Sequence, residues 1–253
     1  MNQDQVTFEK VAWAAFLVRM SEKDYYWRLY CNTELRWALV YNPIGVSRDD
    51  VRYDLIQGFL NKWRSRFPNS NESANAILAT LQRISPFLQA TDGFDIETVD
   101  LDQTIHVGDR QLSIFQAIAE IFDAVVNCYG FRTTAGAKIM GIINPRLFVM
   151  WDDNIALHYL SKDVPSVFSG LGYSTFLRKM QNQAQQCIKD FEKRHGAGKP
   201  ASYLSERLGL NPPLPLAKYL DEYNWITITR GLQVPPKWHP CDNKMVTGQQ
   251  STV

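Results

Sequence analysis

Residues 129–153 read YGFRTTAGAKIMGIINPRLFVMWDD, and the expectation for the whole chain rests on this stretch. A helical pattern leads into it from Ser113 to about Cys128. Ser113 and Gln116 form a capping pair at its start, and Ile114, Ile118, Ile121, Phe122, Val125 and Val126 make one apolar stripe. Gly130 and Gly136 permit a tight turn, because glycine tolerates positive φ and close backbone approach. Lys138 stands two residues past the second glycine. A short apolar helix then ends at Asn144-Pro145, and Val149-Met150-Trp151 delivers Asp152 to the start of another helix.

Helical periodicity dominates outward from there. Phe8 to Met20 reads as an amphipathic helix. Ser47 with Asp50 resembles a capping box opening a helix to about Phe67, stopped by Pro68. A further helix is expected from Ser73 to Ile84, ended by Ser85-Pro86. Between Asp92 and Gln111 the period is lost; Thr104-Ile105-His106-Val107 and Gln111-Leu112 flank Gly108-Asp109, which predicts a small β-hairpin. Tyr173 to His195 reads as a long helix closed by Gly196, with Lys193 and Arg194 in its last turn. Ala201 to Leu208 and a segment from Leu216 follow as helices. The predicted fold is mostly α: a two-lobed helical bundle with a small β-hairpin. Its divisions are an N-terminal lobe over 1–112, a second lobe over 113–240 and a disordered tail over 241–253.

Composition narrows the classes. The 253 residues are 45% hydrophobic and 21% charged, ordinary values for a globular protein. No run approaches the roughly 20 apolar residues of a membrane span. The N-terminus, MNQDQVTFEK, is acidic where a secretory leader is basic, so a cytoplasmic location is expected. Cys31, Cys128, Cys187 and Cys241 are too scattered for a zinc or iron–sulfur site, and His106, His158 and His195 have no metal-ligand spacing. No Walker A loop, nucleophile elbow or dinucleotide fingerprint is present, so no cofactor is expected. A net charge of +1 argues mildly against nucleic acid. Against that, Ala124 to Trp151 lacks acidic residues and carries Arg132, Lys138 and Arg146, enough to seat a few phosphates if they share a face.

The order of parts in residues 113–160 resembles the helix–hairpin–helix DNA glycosylases, which flip a base out of the duplex and cut its bond to the sugar. Thr134-Ala135-Gly136-Ala137-Lys138 is similar to the family's hairpin, although the family has two glycines flanking one residue where this chain has Ala135 and Gly136. Met150-Trp151-Asp152-Asp153-Asn154-Ile155 resembles the segment that carries the family's aspartate, with Asp153 as the competing assignment. The resemblance implies a monomer acting on DNA by base excision, in repair or in defence against modified phage DNA. It implies Asp152 as the carboxylate that stabilises an oxocarbenium-like sugar, and Lys138 as lyase nucleophile or phosphate ligand. A helix N-terminus and Arg132 would lower the Lys138 pKa. Gly130, Arg132, Thr134, Gly136 and Arg146 are the implied DNA contacts. A flipped base needs flat walls; Phe148, Trp151, His158 and Tyr159 are the near candidates, and Tyr25, Tyr26, Trp27 and Trp37 the distant ones. The rival reading is a non-catalytic helical module that binds nucleic acid or a protein partner. An enzyme needs Asp152 beside a pocket, whereas a module needs only the hairpin and its basic residues.

Overall fold

The computed structural model describes residues 6–21, 29–63, 65–128, 132–161 and 166–234. Gly130, Tyr25, Tyr26, Trp27 and the expected tail over 241–253 lie outside the described residues. The fold is mostly helical with one two-stranded sheet. In chain order the helices are α1 (Phe8–Ser21), α2 (Thr33–Tyr41), α3 (Arg48–Asp50), α4 (Asn71–Thr91), α5 (Ile114–Val126), α6 (Thr133–Ile143), α7 (Asp153–Leu160), α8 (Gly170–His195), α9 (Pro200–Arg207) and α10 (Leu216–Asn224). Two helices continue with i→i+5 bonding: α3 into Val51–Leu60 and α10 into Trp225–Thr229.

The hairpin forms where the alternation places it. β1 (Thr104–Val107) pairs antiparallel with β2 (Arg110–Ser113), and Thr104 lies opposite Ser113. Gly108 carries φ 59°, the positive value that the first position of a two-residue hairpin turn requires. The chain then enters α5 through a complete capping box: Ser113 Oγ accepts from the Gln116 amide, and the Gln116 side chain accepts from the Ser113 amide.

Two helix boundaries differ from the sequence reading. α4 does not stop at Ser85-Pro86 but carries Pro86 inside and runs to Thr91. An interior proline costs about 3 kcal/mol, and tertiary anchoring outweighs it. Leu88 and Thr91 are buried, Ser85 Oγ donates to the Val40 carbonyl at 2.7 Å, and Asn144 Nδ2 donates to the Thr91 carbonyl at 2.9 Å. The helix expected to reach Phe67 instead ends at Leu60. Asn61 closes the loop behind it, accepting from the Phe67 amide at 2.6 Å and donating to the Phe67 carbonyl at 2.9 Å. Ser47, at the other end, caps the Asp49 amide rather than forming the expected box with Asp50.

Packing does not follow chain order. α8 lies against α5, α7, α1 and α10, while α1 makes its most extensive contacts with α10, near the opposite end of the sequence. The α1–α10 and α4–α5 contacts both cross the expected division at residue 112. One hydrophobic core runs from Val6 to Ile226. At its centre Phe122 stacks on Tyr173 at 4.5 Å, and Trp151 meets both rings edge-on at 5.4 and 5.0 Å. No helix among the described residues is long and apolar enough to cross a membrane.

Candidate functional site

Asp152 is the N-cap of α7. Its backbone is extended, and Oδ1 accepts from the Ile155 amide at 3.0 Å, satisfying one of the orphan donors of the helix start. Its second oxygen is also held: Thr229 Oγ1 donates to Oδ2 at 2.6 Å. The carboxylate is thus fixed through both oxygens by groups 74 residues apart in sequence (229 minus 155). Asp153, the competing assignment, is exposed and turned elsewhere. Its Oδ1 accepts from the Thr133 and Thr134 hydroxyls at 3.3 and 3.4 Å, tying the start of α7 to the start of α6.

A cavity of about 130 Å³ adjoins Asp152. Thr134 and Lys138 from α6, Met150 and Trp151, Ile155 from α7, and Asp221 from α10 line it together with Trp63 and Trp225. Lys138 is 8% exposed, and its Nζ donates to the Trp63 carbonyl at 2.8 Å and to Ser65 Oγ at 3.1 Å. The Trp63 amide still donates to the Phe59 carbonyl at 3.1 Å, and its own carbonyl, at the end of the helical turns, accepts from Lys138. Burial lowers the Lys138 pKa to about 8, and the nearby carboxylates of Asp221 and Asp152 limit the drop. The expected direction is therefore found, but the cause is desolvation, with Lys218 rather than Arg132 as the neighbouring cation.

The far wall carries a run of buried charge. Asp221 Oδ2 accepts from Lys218 Nζ at 2.6 Å; Lys218 lies 3.7 Å from Glu222 Oε1, which Arg19 contacts at 2.6 Å. Each charge has an opposite neighbour, the condition for tolerating charges in a core. Burial raises the Asp221 pKa, and Lys218 opposes the rise. Trp63 forms the flat element of the site. Lys138 and Lys218 ammonium groups lie 5.9 and 5.1 Å from its ring centre, and Trp225 meets it edge-on at 6.3 Å.

The sequence-predicted residues divide. Asp152, Lys138, Thr134 and Trp151 come together at the cavity. Tyr159 does not: it is buried, its hydroxyl donates to Asn224 Oδ1 at 2.8 Å and accepts from Gln183 Nε2 at 2.7 Å. Phe148 is core beside Tyr173, and His158 is exposed, edge-on to the Tyr159 ring. Trp37 is exposed and stacks on Tyr41 instead of serving as an opposite wall.

Gly136 also has a different role from the expected phosphate-binding turn. α6 already begins at Thr133, and the Gly136 amide donates to the Arg132 carbonyl at 3.0 Å, so it is committed within the helix. A Cβ there would lie 2.9 Å from Val126 Cγ1 and 3.3 Å from Val125 Cγ1; the glycine lets α6 approach α5. The three cations expected to share a face are separated as well. Arg132 is exposed at the N-cap of α6, Lys138 is buried in the cavity, and Arg146 lies beyond the other end, about 16 Å of helix away. There Arg146 Nε donates to Asp95 Oδ2 at 3.1 Å.

Sequence reading missed Trp63, Ser65, Lys218, Asp221, Trp225 and Thr229. Set against protein-family models, curated proteins and solved structures, the chain matches none of them.

Proposed function

We propose that the protein is a DNA base-excision enzyme of the glycosylase type, and that the cavity beside Asp152 receives the flipped base. The observation that carries this reading is the joint presence, in one tryptophan-walled cavity, of a doubly held carboxylate and a lysine with a pKa lowered to about 8. A dry cavity of ~150 Å³ holds one benzene ring, so about 130 Å³ is the scale of a single six-membered ring. Trp63 and Trp225 lie edge-on to each other, so one of them at a time offers a face to a base; stacking contributes about 1–3 kcal/mol per base and offsets the cost of unstacking.

In the reaction the base leaves with the electron pair of its bond to the sugar and takes a proton from solvent. Positive charge then develops on the sugar, and the Asp152 carboxylate, already fixed by Ile155 and Thr229, stabilises it without reorganising. Water adds at the sugar carbon and loses its proton to complete hydrolysis. Alternatively the neutral amine of Lys138 adds to that carbon and loses a proton; the bond from the carbon to the ring oxygen then breaks, the oxygen takes a proton, and a Schiff base remains. Of the basic residues that the non-catalytic reading draws on, Lys138 is buried and Arg146 is paired with Asp95, while Arg132 is exposed at the start of α6.

The test is incubation with duplex DNAs carrying varied modified bases, followed by mass spectrometry of released bases. Release of at least one base by the wild type, abolished by Asp152→Asn, supports the proposal. No release from any duplex overturns it.

A further inference from the structure

The cavity contains a second carboxylate. Asp221 is 8% exposed and sits on the wall of the cavity, with Oδ2 taken by Lys218 at 2.6 Å. Its Oδ1 has no hydrogen-bond partner among the described residues. Lys218 lies in turn beside Glu222, and Glu222 beside Arg19, so four charges in series hold this carboxylate through Oδ2. Oδ1 is not among the unpaired atoms sealed from solvent, so it stays open as an acceptor on the cavity wall. A ligand that brings a donor to it takes the place of water there.

We propose that Asp221 is the base-reading residue of this site, its Oδ1 accepting an N–H from an amino-bearing base, of the cytosine or adenine type. The inference rests on the reading of the cavity as a base pocket. An ionised carboxylate only accepts hydrogen bonds. Opposite it an exocyclic amino group is a match, whereas a carbonyl at the same position sets acceptor against acceptor. Cytosine and uracil differ in this respect and scarcely in size. Carboxylate side chains read the cytosine amino group in the same way in DNA grooves. Stacking on a tryptophan face does not distinguish the two bases, so discrimination falls to the polar edge.

Binding of free cytosine and free uracil to the full-length protein, followed by quenching of tryptophan fluorescence, tests this directly. Three of the cavity residues are tryptophans, so an occupant changes the signal. Cytosine is expected to bind at least about tenfold tighter than uracil, and Asp221→Asn to bring the two within about twofold. Equal affinities in the wild type, or no binding of either base, overturn the assignment. The wild-type comparison decides the matter even if Asp221→Asn fails to fold with Lys218 unpaired. Base release from duplex DNA is read separately. Cytosine preference without release from any duplex keeps the inference and removes the excision chemistry. Release that ignores the amino group keeps the chemistry and removes the inference.

Discussion

The two ends of α6 carry similar residues and do opposite things. From its N-terminal half Thr134, and from its middle Lys138, face the cavity with Asp152, and the cation is buried and desolvated. Past the C-terminal end Arg146 is exposed and paired with Asp95, its carbonyl accepts from the Ile96 amide, and Asn144 caps the helix while donating to Thr91. One end has a cavity and a lysine able to lose its proton near neutrality. The other end is a clasp. Proximity in sequence to a motif therefore says little about a basic residue; what it is buried against decides its role.

Asp152→Asn should break the cavity end most severely. Asparagine caps helices as well as aspartate does, so the melting temperature should stay close to wild type. Excision should fall by about 10³-fold or more, the scale of losing a preorganised group aimed at developing charge. Asp153→Asn should change excision by less than about threefold, because among the described residues the Asp153 side chain bonds to the two threonine hydroxyls. A reversal of the two effects, read by base release under single-turnover conditions, would move the catalytic carboxylate to Asp153.

A smaller and sharper effect lies in pH. Because burial lowers the Lys138 pKa to about 8, the neutral, nucleophilic form gains as pH rises through that value. Roughly a tenth of the amine is neutral at pH 7 and half at pH 8, whereas an ordinary lysine needs pH above about 10. Borohydride trapping of a protein–DNA adduct should thus rise severalfold between pH 7 and 8 and level off above about 9. Lys138→Gln should give no adduct. Trapping that still climbs at pH 10 would place the nucleophile on another, solvated amine.

Legibility in the sequence followed the range of the interactions. The β-hairpin, the capping box of α5 and the N-cap role of Asp152 are local, and their residues announce them within a few positions. Asp221 announces nothing. LAKYLDEYN has three charges in nine residues and reads as a solvated helix, yet all nine residues of α10 are buried. They are buried because Lys218, Asp221 and Glu222 neutralise one another and Arg19 arrives from α1, a partner about 200 residues away. Trp63 was hidden by the opposite error. Its carbonyl accepts from Lys138 where the helical turns end, and Asn61 holds Phe67 in the loop beyond. Pro86 misled in the same way, a strong local signal outweighed by distant anchors.

Gly136→Val tests a residue at the junction between the two ends. The added side chain meets Val126 and Val125 of α5. Overpacking of this kind costs about 1–3 kcal/mol, so the melting temperature should fall by several degrees. DNA affinity should be unchanged wherever the variant is folded. A uniform loss of affinity with unaltered melting would return Gly136 to a phosphate-binding turn.

The smallest effect is expected from Arg146→Ala, and its smallness is the point. The side chain is 57% exposed and its partner Asp95 20% exposed, so water screens the pair and its loss should cost about 1 kcal/mol or less. The residue lies beyond the end of α6 that faces away from the cavity, so excision should match wild type. Each phosphate contact contributes about one unit to the slope of log affinity against log salt concentration. If Arg146 belongs to the clasp, Arg146→Ala leaves that slope unchanged, while Arg132→Ala, which removes an exposed cation at the start of α6, lowers it by about one. A full unit lost with Arg146→Ala would mean that DNA spans both ends of the helix, and the contrast between them would fail at its structural end.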